Sequence, residues 1–148
     1  IGSAGNDLVF SSVRLNDKAT PIAGYIQRNA VQSESRTHGF FYQPQGEANG
    51  ILGLPILGGS EERPSAAVKY LRNKKLQLSD LGLLVASPGK VRDDGCQVSC
   101  VDWYGNARPI FIGGRVYALM GYELVEGRIV DDALVELRRV NYAPGQRR

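Results

Sequence analysis

One histidine, one methionine, one tryptophan and two cysteines are all that the 148 residues hold of several chemistry-bearing side chains. His38 alone cannot build a histidine-rich metal centre, and no second cysteine pair stands beside Cys96 and Cys100 to complete a zinc site. No G-x-x-x-x-G-K-[ST] or G-x-G-x-x-G context is present. Ser3-Ala4-Gly5 and Gly58-Gly59-Ser60 lack the G-x-S-x-G setting of a strained nucleophile turn. No reaction is therefore written in the motifs. A run of about twenty apolar residues, the length of a membrane-crossing helix, is missing too. Strong charge of one sign is also absent. A net charge of +3 permits weak attraction to anionic surfaces without demanding it.

What the chain does hold is turn-formers and β-formers. Eighteen Gly and seven Pro beside seven Tyr and four Phe suit many short strands better than a helical bundle. The length fits one domain with its own core. The start at Ile1 reads as a processed product or an expressed fragment, with any signal peptide already gone.

The clearest local signal is Ala107–Ile129. Ile110–Ile112 runs into Gly113-Gly114, and Val116, Ala118 and Met120 then alternate with Tyr117 and Leu119. Gly-Gly between two such runs predicts a two-residue hairpin, because both central residues of a type I′ turn need positive φ. Gly121-Tyr122 enters the next hairpin. Upstream, Leu8–Leu15 and Ala19–Arg28 predict a hairpin around Asn16-Asp17-Lys18, after a frayed Ile1–Asp7. Asn29–Arg36 reads as loop. Thr37–Gln43 is aromatic-rich, and Ile51–Leu57 is apolar on both faces, as a strand near a centre would be. Pro55 within it predicts a bulge or an edge. Ser65–Leu71 has helix-forming residues and a Ser at an N-cap position. The alternation of Leu76, Leu78, Leu83 and Val85 favours strands there instead. Leu134–Tyr142 is a last strand of which either face could meet solvent.

Ser87–Asn106 is the longest irregular stretch and holds the candidate site residues. Cys96 and Cys100 read first as a short disulfide loop of an exported protein, next as two reduced thiols, and least as metal ligands. Asp93, Asp94 and Asp102, with Asn106, could offer oxygens to calcium, though an ordinary solvated turn outweighs that reading without EF-hand spacing. Trp103 and Tyr104 could form an aromatic platform for a partner or sugar, against packing of Trp103 over the disulfide. His38, before Gly39-Phe40-Phe41-Tyr42, is more often structural than a general base. The basic residues Arg72, Lys74, Lys75, Arg138, Arg139, Arg147 and Arg148 are explained by solvated turns and a tail. Nucleic-acid readers interleave aromatics and carry more charge.

Two stretches repeat an order of elements. THGFFYQPQGEANGILGLPI runs into SAAVKYLRNKKLQLSDLGLLVA, and ARPIFIGGRVYALMGYELVEGRI runs into LVELRRVNY. This four-strand period, with the hairpin Ile112-Gly113-Gly114-Arg115-Val116-Tyr117, resembles secreted bacterial and archaeal proteins with a C-terminal β-propeller domain distantly related to WD-40 repeats. The resemblance implies an all-β fold of antiparallel meanders like propeller blades, part of a larger closed propeller. Its blade units would be 37–86 and 107–142, with 87–106 an irregular insertion. A small β-sandwich or barrel is the alternative. No catalytic motif of that family can be carried over.

The expectation is then a non-catalytic binding or scaffold module of an exported or cell-envelope protein, engaging a protein or glycan through loop surfaces. A shell or filament subunit, paired with copies or a companion chain, is the second reading. Part of an enzyme whose active site lies elsewhere is the third. No cofactor is called for beyond the calcium candidates.

Overall fold

The computed structural model describes residues 1–33, 39–60, 63–87 and 107–142. Within them the chain is all-β and antiparallel throughout, and no helix is long and apolar enough to cross a membrane. The strands are β1 (Gly2–Ala4), β2 (Asp7–Leu15), β3 (Ala19–Gln27), β4 (Ala30–Gln32), β5 (Phe41–Pro44) and β6 (Asn49–Ser60). They continue with β7 (Arg63–Lys74), β8 (Gln77–Val85), β9 (Arg108–Ile112), β10 (Arg115–Met120), β11 (Glu123–Val130) and β12 (Ala133–Asn141).

They form three sheets, each from one continuous part of the chain. The N-terminal sheet runs β1-β2-β3. The central sheet runs β4-β6-β7-β8, with β5 also on β6. The C-terminal sheet runs β12-β11-β10-β9. Among the described residues these sheets close neither a barrel nor a propeller ring.

The central sheet is covered on both sides. Leu52, Leu54, Ile56, Ala67 and Leu71 pack toward Leu8 and Phe10 of the N-terminal sheet. Ile51, Val68, Tyr70, Leu81 and Leu84 pack toward Val116, Ala118, Met120 and Val125 of the C-terminal sheet. Strand alternation accounts for this, because successive side chains of β6 and β7 leave on opposite faces and both sets are apolar. Order in the stack is order in the chain.

Ser65–Leu71 and, of Leu76–Ala86, residues Gln77–Val85 are strand, as the alternation predicts, and not helix. Gly113 and Gly114 make the β9–β10 turn with φ of 56° and 75°. Three expectations are corrected. Residues 2–4, predicted frayed, pair with Asp7–Val9, and residues 30–32, predicted loop, pair with Ile56–Gly58. Both strands are three residues long, too short for a periodic signal, and are held by a neighbour distant in sequence or across a tight turn. Pro55 sits in neither a bulge nor an open edge. It pairs with Val68 on one side. On the other it lies between the stretch of β6 taken by β5 and the stretch taken by β4. Its carbonyl accepts from Ser33 N–H at 3.2 Å, on the β4 side. The missing N–H thus falls at the gap between two short neighbours and costs no ladder bond to β7.

The last hairpins of the central and C-terminal sheets are built alike. One turns through Lys75-Leu76 (φ 52° and 68°), the other through Asp131-Asp132 (φ 49° and 60°). Four ladder pairs follow each turn, and then one extra residue enters the last strand. It is Leu81 in the first and Leu137 in the second. In the N-terminal sheet the β2–β3 hairpin carries the same kind of insertion at Ile22, three pairs from its turn. A bulge of this kind re-aims the residues beyond it.

Candidate functional site

Two of the buried charges, Lys69 and Glu123, stand at the joints between the sheets. At the first joint Lys69 of β7, 3% exposed, donates to both oxygens of Asp80 at 2.6 and 2.7 Å. Tyr25 of β3 donates its hydroxyl to Asp80 Oδ2 at 2.8 Å, and the ammonium lies 5.1 Å from the Tyr25 ring centre. Ser12 Oγ also crosses this joint to the Leu76 carbonyl at 2.5 Å. Burial alone would raise the Asp80 carboxyl. Hydrogen bonds from Lys69 and Tyr25, the nearby ammonium and the Gly82 N–H outweigh it and hold the group below its ordinary value. The Tyr25 hydroxyl is pushed up, first by burial and then by Asp80.

At the second joint Arg139 of β12 is the hub. It donates to Glu123 Oε2 at 2.7 Å, to Glu136 Oε2 at 2.8 Å and to the Val85 carbonyl of the central sheet at 2.8 Å. Glu123 also accepts the Ser87 N–H at 2.8 Å. Burial would raise the Glu123 carboxyl, but the bonds from Ser87 and the Arg139 charge lower it. Tyr70 adds a neutral tie, its hydroxyl donating to the Tyr117 carbonyl at 2.5 Å and its ring edge-on to Phe111. Arg72 Nε lies 2.8 Å from Asp132 Oδ1, a charge contact whose angle is not that of a hydrogen bond.

Two hollows lie beside these joints. One, about 430 Å³, is lined by Phe10, Ser12, Phe40, Tyr42 and Leu78 among others. The other, about 310 Å³, is lined by Gln45, Ile51, Arg72, Arg115 and Arg128 with the buried acid Glu126. Glu126 is held by Arg138 at 2.6 Å and Arg115 at 3.5 Å, so that acid is already balanced. Among the described residues no three His, Cys, Asp or Glu side chains are grouped to hold a metal ion.

The described ends of the long irregular stretch are both fixed. Ser87 is tied by its N–H to Glu123, Ala86 N–H bonds to the Ala66 carbonyl, and Ala107 is buried in the core. Segment 88–106 thus leaves from and returns to the joint between the central and C-terminal sheets. Cys96, Cys100, Asp93, Asp94, Asp102, Asn106, Trp103 and Tyr104 all lie outside the described residues, as do His38, Arg147 and Arg148.

The basic residues need one correction. Arg139 is an inter-sheet tie and Arg138 holds Glu126, so neither is merely a solvated charge. Lys69, Asp80, Glu123 and Glu126 were legible only as charges inside apolar strands, such as Lys69 in SAAVKYL. That pattern signals a buried pair without naming the partner.

The chain matches no protein-family model, no curated protein and no solved structure.

Proposed function

We propose that this chain is a non-catalytic binding or scaffold module of an exported or cell-envelope protein. Its sheets serve as propeller-like blades that hold segment 88–106 toward a protein or glycan, with Trp103 and Tyr104 as the contact platform. One observation carries the reading: both described ends of that segment are anchored in the joint between two sheets, through Ser87 to Glu123 and through buried Ala107. Binding residues concentrate on loops positioned by a rigid support, and long connections in compact domains are commonly functional. The described buried charges Lys69, Glu123 and Glu126 support the scaffold half, since each is engaged by a partially or fully exposed counter-charge. Lys69 and Asp80 meet Tyr25 across the first joint, and Glu123 and Arg139 cross the second.

The test is capture of partners on a glycan array and from exported-protein fractions, with wild type and a Trp103→Ala/Tyr104→Ala double variant. Loss of the aromatic pair should weaken a captured partner about tenfold or more, since aromatic anchors dominate such contacts. The melting temperature should stay unchanged. Equal capture by both proteins sinks the platform, and a melting temperature that falls with the double variant makes the pair a core element instead.

A further inference from the structure

The three sheets stack by one repeated relation. Aligning the last hairpins on their bulges places Leu71, the last ladder residue before the bulge, level with Gly127 and with Val13. In that alignment the central sheet turns Leu71 and Ala67 back toward the N-terminal sheet, and Val68 and Leu84 forward toward the C-terminal sheet. The C-terminal sheet turns Val125, equivalent to Lys69, back toward the central sheet. The N-terminal sheet turns Phe10, equivalent to Val68, forward. Each joint therefore sets a forward face on a backward face. The stack is head-to-tail twice over.

One forward face and one backward face remain open among the described residues. On the C-terminal sheet, Leu119, Leu124 and Val140 occupy the positions of Pro55, Val68 and Leu84, all fully buried in the central sheet. Val140 is 53% exposed. On the N-terminal sheet, Val9 and Val13 occupy the positions of buried Ala67 and Leu71, and Val13 is 42% exposed. The backward face of β2 and β3 presents Val9, Ser11, Val13, Leu15, Pro21 and Ile26, and the acid at its end, Asp7, is paired with Arg28 at 3.1 Å. On the forward face opposite, Glu126 is paired with Arg115 and Arg138, and Arg108 and Arg128 lie on the same side of the sheet. The two open faces correspond in register to the faces that meet at each joint.

We infer that a second copy of this chain seats its N-terminal backward face on the C-terminal forward face, and that two copies close a ring of six sheets. A head-to-tail contact either closes or grows without limit. Three sheets in each of two copies fall within the typical four to eight of closed radial arrays. The inference rests on the stacked-blade part of the proposed function and not on segment 88–106.

Light scattering during size-exclusion chromatography of the full chain at micromolar concentration tests it. A particle of twice 16.1 kDa is expected. A monomer overturns the proposal, and a mass that keeps growing with concentration overturns ring closure. Val13→Lys and Val140→Lys should each give folded monomers, with association weakened about a hundredfold. Mixed together they should form a one-to-one dimer through the one joint that keeps both native faces, the other joint carrying both lysines. A mixture that stays monomeric overturns the head-to-tail relation, as do dimers of either variant alone. Should either lysine variant lose its β circular dichroism, Val13→Ser and Val140→Ser are judged by the same outcomes. Partner capture through Trp103 by a monomeric wild type overturns the ring alone.

Discussion

At Gly53 the central and C-terminal sheets approach closely. A Cβ there would meet Pro109 Cβ and lie 2.7 Å from its Cγ, with the Tyr70 ring at 3.2 Å. None of these neighbours can swing away, since the proline ring is rigid and Tyr70 is fully buried. Gly53→Ala should cost about 1–3 kcal/mol, read as a lower denaturant midpoint with unchanged slope. The carboxylates at the two joints set the acid response. Asp80 and Glu123 are held below their ordinary values, so their contribution is complete above the unfolded range and is lost as pH falls through the folded values. The melting temperature should hold from neutral pH down to roughly pH 5 and drop below roughly pH 4. Glu123→Gln should lower it at neutral pH, by about 1–3 kcal/mol for the Ser87 and Arg139 donors left short of an acceptor. It should also flatten the acid slope, and a slope as steep as wild type would remove Glu123 from this role. At this scale the sequence was least informative. Charges such as Lys69 and Glu123 stand out within apolar runs, but their partners Asp80 and Arg139 are named only by the register of strands that meet in three dimensions.

The repeated bulge governs the hairpins. Leu137 shifts the register of β12 so that Arg139 faces Val125 and reaches Glu123 and Val85 on the inner side. Deleting Leu137 leaves Arg138 opposite Glu126 and Arg139 opposite Val125 in a regular ladder, so residues 138–141 keep their faces and only the local bend and twist of the bulge are lost. That variant should melt closer to wild type than Glu123→Gln does, because the Arg139 network is kept. A melting temperature below that of Glu123→Gln would show that the bend itself is needed to seat Arg139. Elements were where sequence reading worked best. Gly113-Gly114, Asn16-Asp17-Lys18 and the alternation through Val116–Met120 announce their own turns and strands. The bulges left no such mark, as Leu81 and Leu137 look like ordinary members of Leu- and Val-rich strands. Neither did β1 and β4, whose three residues each are ordered by partners and not by pattern.

Over the whole molecule, protection should be graded by layer. β6 and β7 have strands on both sides and sheets on both faces, so their amides should exchange slowest, while β3 and β12 at sheet edges exchange fastest. Uniform protection across the three sheets would mean that they open as one unit. Apolar character on both faces of Ile51–Leu57 pointed to this central position. Which sheets covered it could not be read, because Leu52 and Ile51 are equally apolar and differ only in the neighbour they meet.

That each sheet is made from one continuous part of the chain also bears on how the protein comes to be folded. A ribosome adds the residues of the first joint, through Val85, before it adds Arg108. The N-terminal and central sheets can therefore meet while the last sheet is still being synthesised. The Leu84 side of the central sheet must wait uncovered during that interval. Translation speed over the codons of the last sheet would then matter to yield even with the protein sequence unchanged.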